Sequence, residues 1–431
     1  MRLPGRMAAA IAVLEDIESH RRPVAEALKA WGLANRFAGA GDRAAIGNLV
    51  YDGLRRKRSH GWAMQSEAAR ALVLSVVVRE WGESPESLAT LFADDPHAPA
   101  ALSPDEVARL SATDPLAGAP AAVVADLPDW IAALLEISLG HDWIVEGQGL
   151  TGRPPLDLRA NLLKSDRARV MKALSRFSPQ EGPTSPWGLR LAAGPRDART
   201  PNVLTDEAWL KGWVEVQDQG SQVVSLLCGV QPGEQVLDLC AGAGGKTLAL
   251  AALMGNKGQI FAHDSDRTRL APIYDRLKRA GVRNVQVRPP AETALDDLVG
   301  RMDRVVVDAP CTGSGTWRRQ PHAKWKLTPE QLALRVAEQQ QILDDAARFV
   351  KPGGSLAYIT CSVLPDENGA QAQAFLARHP EFRVVPGHGL WHKAFGGSGA
   401  RARFTAEGGI LLTPATTGTD GFYIARFERA Q

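Results

Sequence analysis

The chain has only four cysteines in 431 residues, and no two of them stand in a CxxC spacing, which excludes a disulfide framework and a zinc-ribbon pattern. Cys228, Cys240, Cys311 and Cys361 are therefore read as reduced thiols. No run of about 18 consecutive apolar residues occurs, so no membrane span is expected. The nine histidines show no metal-ligand spacing, and no metal is expected. A net charge of only +2 excludes a histone-like polybasic protein, so any nucleic-acid surface must come from clustered cations. The apolar run that begins at Met7 is ended by Glu15 and Asp16, and no small-residue cleavage site follows. It reads as an amphipathic helix rather than a leader, and a cytoplasmic location is expected.

What the chain does have is an ordinary globular composition, 45% hydrophobic and 23% charged, at a length that suggests two or three domains. Tryptophan outnumbers tyrosine by 11 to 4. Residues 1–140 carry apolar positions at helical spacing, notably over 6–27 and 67–78, which predicts an all-α domain. Residues 141–205 change character: possible strands at 156–162 and 189–191 flank a helix near 167–177, a small α+β linker subdomain. From 206 to 431 short apolar runs at 235–239, 259–263, 285–287, 304–308 and 355–360 alternate with helical patterns at 246–254, 267–280 and 329–350. Such alternation predicts a parallel sheet with helices on both faces, whose ligands bind at the carboxyl ends of the strands.

Three motifs fall at those ends. The first, VLDLCAGAGGKT at 236–247, is a strand, a glycine-rich turn and a helix start, where unpaired N–H groups and missing side chains let a ligand approach the backbone. It is not a phosphate-binding loop of the Walker type, because Cys240 stands where that loop needs a glycine. Nor is it the dinucleotide fingerprint, because Thr247 stands in place of the third glycine. Asp238 before the turn suits a positively charged donor, and S-adenosylmethionine carries both an ammonium and a sulfonium. Asp264, about twenty residues further on, suits the two hydroxyls of a ribose. A helix N-cap before Arg267 is the competing reading of Asp264.

The second and third motifs are DAPCTGSG at 308–315 and YITCS at 358–362. They bring Cys311 and Cys361 to polar, Gly- or Ser-rich turns on the ligand-binding edge. Most lone cysteines are small buried hydrophobes, and Cys228, inside an apolar run, is read that way. A thiol beside a methyl donor has a specific use. Carbon 5 of cytosine is a poor nucleophile until a thiolate adds to carbon 6 and makes it enamine-like. A group hydrogen-bonded to ring nitrogen 3 then stabilises the charge that develops.

Together these three motifs resemble the NOL/NOP/Sun family of RNA cytosine-5 methyltransferases. The segments VQDQGSQ at 216–222, WRRQPHAKW at 317–325, PDEN at 365–368 and TDGFY at 419–423 are similar to family segments as well. The likeness covers roughly residues 150–431. The N-terminal part resembles, less closely, the NusB-like RNA-binding domain of the bacterial Sun (Fmu) branch, best over GDRAAIGNLVY at 41–51 with Arg55 and Arg56. The resemblance implies a Rossmann-like class I methyltransferase domain with a mixed seven-stranded sheet, preceded by the small α+β subdomain and the helical domain. It implies S-adenosylmethionine as cofactor and RNA, from the small ribosomal subunit, as substrate, with transfer RNA as the alternative.

By the same likeness Cys361 is the nucleophile and Cys311 helps release the product. Asp308 meets the cytosine ring or the donor end of the site, and Lys246 helps position the base or Asp308. Asp238 and the stretch Cys240, Ala241, Gly242, Ala243, Gly244, Gly245 and Lys246 wrap the donor's methionine part, and Asp264 its ribose. The family's acid after the third strand, near the adenine, has no obvious counterpart here, and Glu292 is the nearest.

RNA contacts are expected from two basic stretches. Residues 317–326 interleave tryptophan with Arg318, Arg319, Lys324 and Lys326, so that bases could stack on Trp325 while cations meet phosphate. The competing reading packs these tryptophans into the core. Arg55 and Arg56 begin the densest basic cluster, which could grip a duplex or simply complement a helix end. A monomer is expected. The alternatives in function are a cytosine-5 DNA methyltransferase, with its nucleophile on the Pro-Cys turn, and an RNA-binding assembly factor that keeps the fold without catalysis.

Overall fold

A computed structural model describes residues 1–396 and 401–431. The chain divides into two compact units. The first comprises Met1–Pro154 with two later segments, Ala193–Thr200 and Trp317–Lys326. The second comprises Pro155–Ala192, Pro201–Thr316 and Leu327–Gln431. The helical unit thus runs past 140, and residues 317–326, after the Cys311 turn, join it rather than the second unit.

The first unit is helical. Leu3–His20, Val24–Ala34, Ala40–Arg55, Lys57–Met64 and Ala69–Arg79 are its main early helices. Their apolar faces meet in one core built on Met7, Val13, Ile46, Leu49, Leu74 and Leu88. The helical spacing over 6–27 falls on two helices, because Pro23 has no N–H to continue the first and opens the second instead.

The second unit contains two sheets. The smaller is built from β1 (Leu156–Ala160), β2 (Gln180–Glu181), β3 (Gly188–Leu191) and β4 (Val214–Val216), in the order β2-β3-β1-β4. β4 pairs with β1, so this α+β layer extends beyond the expected boundary at 205. The larger sheet contains β5 (Gln235–Asp238), β6 (Gln259–His263), β7 (Val285–Arg288), β8 (Met302–Asp308), β9 (Val350–Thr360), β10 (Phe382–Val385), β11 (Arg403–Phe404), β12 (Ile410–Leu412) and β13 (Phe422–Arg429). Its order is β11-β12-β13-β9-β8-β5-β6-β7, with β10 on β13. Among the described residues nine strands replace the expected seven, because short strands extend the antiparallel side.

β7, β6, β5, β8 and β9 are parallel to one another. Val236, Leu237, Val305, Val306, Leu356 and Ile359 are buried, the continuous apolar pattern of strands covered on both faces. β13 lies antiparallel to β9, with Tyr423 opposite Thr360, and so carries the 419–422 turn to the edge where β9 ends. Helix Pro329–Ala347 begins with a capping box between Thr328 and Gln331 and with Pro329 in its first turn. The expected helix over 267–280 is split into Arg267–Leu270 and Ile273–Ala280 around Pro272.

Candidate active site

The site lies on the carboxyl edge of β5, β6, β8 and β9. β5 ends at Asp238, and the helix Gly245–Leu253 starts after a turn in which Gly242 and Gly244 take φ of 49° and 83°. Gly244 is obligatory for a second reason: a Cβ there would lie 2.5 Å from Ile273 Cγ1. Asp238 is fully buried, and the Thr247 hydroxyl donates to one of its oxygens at 2.6 Å. Its other oxygen has no hydrogen-bond partner among the described residues. Burial pushes the carboxyl up to about 7 against the Thr247 hydrogen bond, and neighbouring Asp308 adds to the rise.

Asp264 ends the next strand and is buried. It accepts from the N–H of Gly242 at 2.9 Å and of Asp266 at 2.9 Å, tying the glycine turn to β6. It does not cap the following helix; Asp266 does, accepting from Thr268 and Arg269. Beside this turn lies a cleft of about 310 Å³ lined by Cys240, His263, Asp264, Arg269, Glu292 and Pro310, among others. Glu292 therefore faces the same cleft as Asp264. Cys240 itself has its thiol pushed far up by burial and by Asp238, which leaves it a protonated lining group.

β8 and β9 deliver the other half. Lys246 Nζ donates to Asp308 at 2.6 Å, and the ammonium lies over the Phe422 ring, 5.2 Å from its centroid. Burial alone would depress Lys246; the Asp308 carboxylate outweighs it and holds the ammonium's pKa above its ordinary value. Cys311 and Cys361 place their sulfurs 3.2 Å apart, and both are free thiols. The hydrogen bond with Cys361 and burial together push Cys311 well up, and the Glu367 carboxylate adds to this. Cys228 lies apart in the core, its thiol pushed to about 12 by burial.

Backbone contacts lock the two cysteine turns together. The Gly315 N–H donates to the Cys361 carbonyl at 3.0 Å, and the Gly421 N–H donates to the Gly315 carbonyl at 2.8 Å. A Cβ on Gly315 would lie 2.1 Å from the Gly421 carbonyl oxygen, so the TDGFY segment is packed backbone to backbone on the Cys311 turn. The VQDQGSQ segment is likewise architectural. Asp218 caps the helix Gln219–Leu227 and also accepts from the Asp420 N–H.

The sequence did not single out Glu367, Gln339, Thr312 or Tyr358 as site residues. Glu367 accepts from the Thr312 N–H at 2.8 Å, the Thr312 hydroxyl at 2.5 Å and Gln339 Nε2 at 2.9 Å. Tyr358 donates to the Glu367 carbonyl at 2.6 Å. The PDEN motif was the available signal.

The basic stretches are corrected by burial. Lys324 is 1% exposed and donates to the Arg55 carbonyl at 3.0 Å, with its ammonium 4.4 Å from the Trp325 ring centroid. Burial lowers its pKa to about 8 although Asp126 opposes this. Trp325 donates its indole N–H to the Leu54 carbonyl at 2.6 Å, and Trp317 and Arg318 are buried. These groups close the end of helix Ala40–Arg55 within the first unit, so Lys324 and Arg318 are not placed to meet phosphate. Arg55 is also buried, paired with Asp52 at 2.8 Å and donating to the Arg318 carbonyl at 2.7 Å. Arg56 pairs with Glu80 at 3.2 Å but keeps 43% of its side chain exposed, and Arg319 is half-buried.

A parallel sheet with a glycine turn, a buried acid at the end of the next strand and an acid-lined cleft at its carboxyl edge defines a Rossmann-like methyltransferase that uses S-adenosylmethionine. The residues fit that donor, since the unpaired oxygen of Asp238 offers an acceptor and Gly242 and Gly244 leave the turn bare of side chains. Residues 225–428 match the family model described as 16S rRNA methyltransferase RsmB/F. Over 319 residues, 70% of this chain and 67% of the relative, the chain is 33% identical to a probable ribosomal RNA small subunit methyltransferase B of Synechocystis sp.. A methyltransferase homolog protein from Pyrococcus horikoshii superposes with a TM-score of 0.59 at 27% identity, covering 72% of this chain and 97% of its own. The crystal structure of PH0851, 24% identical, shares the fold over 100% of both chains with a TM-score of 0.73. The chain belongs to the NOL/NOP/Sun family of RNA methyltransferases, in its RsmB/F group.

Among the described residues no helix is long and apolar enough to cross a membrane, and no group of three or more His, Cys, Asp or Glu side chains could hold a metal ion.

Proposed function

We propose that the protein methylates carbon 5 of a cytosine in small-subunit ribosomal RNA through a covalent cysteine adduct. The observation that carries this reading is the Cys311–Cys361 pair, 3.2 Å apart, beside the Lys246–Asp308 pair. The name of the Synechocystis relative supports the choice of RNA. The substrate places the enzyme in the cytoplasm, where ribosomes are assembled.

Cys361 is the nucleophile. Lys246 lies close enough to interact electrostatically with its sulfur, and an adjacent cation favours a thiolate. Cys311 stays protonated beside Glu367 and donates its S–H to that thiolate. The Cys361 sulfur bonds to carbon 6 of the cytosine, and the electron pair of the 5,6 double bond moves toward nitrogen 3 and the 2-carbonyl. The Lys246 ammonium, held in place by Asp308, stabilises the charge there. Asp238, the 240–246 turn and Asp264 would hold S-adenosylmethionine, whose sulfonium would supply the electrophilic methyl to carbon 5 as its S–CH3 bond breaks and S-adenosylhomocysteine leaves.

Release needs a base to remove the carbon 5 proton. The electron pair of that C–H bond re-forms the 5,6 double bond, and the C–S bond breaks to return the Cys361 thiolate. Cys311 is placed for that task. Once Cys361 is a thioether it no longer carries charge beside Cys311, so Cys311 releases its own proton to solvent water, and the thiolate formed takes the proton on carbon 5 and is a thiol again. The target base must be flipped or single-stranded, because carbon 6 is shielded in a stacked duplex. The helical unit contributes RNA binding, and Arg56 and Arg319 keep solvent-facing surface for it.

Incubation with labelled S-adenosylmethionine and total RNA, followed by nucleoside analysis, tests the reading. 5-Methylcytosine in a small-subunit ribosomal fragment supports it, and the same nucleoside in transfer RNA replaces the substrate. Absence of transfer to naked RNA and to assembled small subunits alike refutes it.

A further inference from the structure

Glu367 is fully buried, 55 residues along the chain from the Thr312 groups that it binds. Three donors converge on its carboxylate: the Thr312 N–H, the Thr312 hydroxyl and Gln339 Nε2. The carboxylate accepts all three and donates none. Its partners are neutral; among the described residues no cation pairs with it. Its charge is therefore not cancelled locally, and it acts on the thiol immediately before Thr312, which is Cys311.

We propose that Glu367 is a positioning residue that keeps the shared proton of the cysteine pair on Cys311 and so leaves Cys361 as the thiolate. The proposal rests on the covalent reading above and adds what decides between two sulfurs 3.2 Å apart. Two like thiols at that distance cannot both ionise, so any asymmetry in their surroundings selects one. The surroundings are asymmetric. Cys361 interacts with the Lys246 ammonium, itself bonded to Asp308. Cys311 is joined to Thr312, whose N–H and hydroxyl both bond the Glu367 carboxylate, and the neighbouring Tyr358 is a buried phenol that donates to the Glu367 carbonyl. Positive charge at one sulfur and negative at the other make the S–H of Cys311 the donor and Cys361 the acceptor. The Thr312 bonds also fix the turn, so the carboxylate sets both the position of Cys311 and its protonation.

The test needs neither RNA nor methyl donor. The full-length protein is alkylated with iodoacetamide across pH 6 to pH 9, and modification at each cysteine is followed by peptide mass mapping. Wild type is expected to react first at Cys361, with Cys311 lagging. Glu367→Gln keeps the shape and removes the charge. Its Cys311 alkylation at neutral pH is expected to rise about tenfold relative to Cys361, equivalent to about one pKa unit. Thr312→Val removes one hydrogen bond and leaves the charge, so Cys311 stays slow; Glu367→Asp restores the wild-type order. An unchanged Cys311 to Cys361 ratio in Glu367→Gln, or faster reaction at Cys311 in wild type, overturns the proposal. If Glu367→Gln does not fold, Cys361→Ser decides. A Cys311 profile that stays raised without its partner sulfur supports the carboxylate's role, and a fall to that of a free thiol refutes it. Failure of methyl transfer with this alkylation order intact would count against the function and not against Glu367.

Discussion

Replacing Asp238 by asparagine separates what the donor site needs from what the fold prefers. The carboxyl titrates near 7 in the native protein against 3.8 for the group when free. The native state therefore keeps a proton that the unfolded chain has already lost, and stability falls as pH rises from about 4 to about 7, then levels off. At 1.36 kcal/mol for each pKa unit, the upper limit of that loss is about 4 kcal/mol. Asp238→Asn removes the titration while its side-chain oxygen can still accept from Thr247. The variant is expected to lose little stability between pH 5 and pH 8, and to exceed wild type at pH 8. The same change removes the unpaired oxygen offered to the donor's ammonium and is expected to weaken donor binding at least tenfold, or about 1.4 kcal/mol. Denaturant unfolding at the two pH values, with calorimetric titration of S-adenosylmethionine, reads both effects. Equal pH dependence in wild type and variant, or unchanged donor affinity, would refute the reasoning.

Gly244→Ala should abolish donor binding and lower the thermal midpoint, because its φ of 83° disfavours a side chain and the new Cβ would strike Ile273. Thermal shift with and without donor checks it; retained ligand stabilisation would contradict it. Lys324→Met should leave RNA affinity unchanged and stability at pH 7 equal or higher, since an apolar side chain replaces a buried ammonium. Loss of RNA binding in a filter assay with the melting curve intact would restore Lys324 as a phosphate contact. Gly421→Ala should reduce turnover by an order of magnitude or more, because its Cβ would lie 2.5 Å from Gly315 Cα and push the Cys311 turn out of register. Single-turnover rates at saturating donor check it, and wild-type rates would contradict it.

The donor half of the site was legible because its chemistry is local. A glycine turn, an acid before it and an acid at the next strand end are short motifs at predictable places in a parallel sheet. The placement of the two cysteines on one edge was legible for the same reason, as each follows a strand visible in the sequence. Glu367 was not, because its meaning depends on Thr312 and Gln339, which approach it only in the folded sheet. The 317–326 stretch misled in the opposite direction. Alternating tryptophan and cations describe a base-stacking loop and a buried helix-end plug equally well, and only burial distinguishes them. Arg55 misled for a related reason: its partner Asp52 lies one helical turn away, but nothing local reveals that both are buried. Helix boundaries slipped where proline intervened, at Pro23 and Pro272.

The central claim is that Cys361 forms the bond to the base and Cys311 frees it. Its most direct test mixes each single alanine variant with substrate RNA and S-adenosylmethionine and resolves the products on a denaturing gel. The account predicts a protein–RNA adduct that accumulates with Cys311→Ala and none with Cys361→Ala. An adduct formed by Cys361→Ala would contradict it.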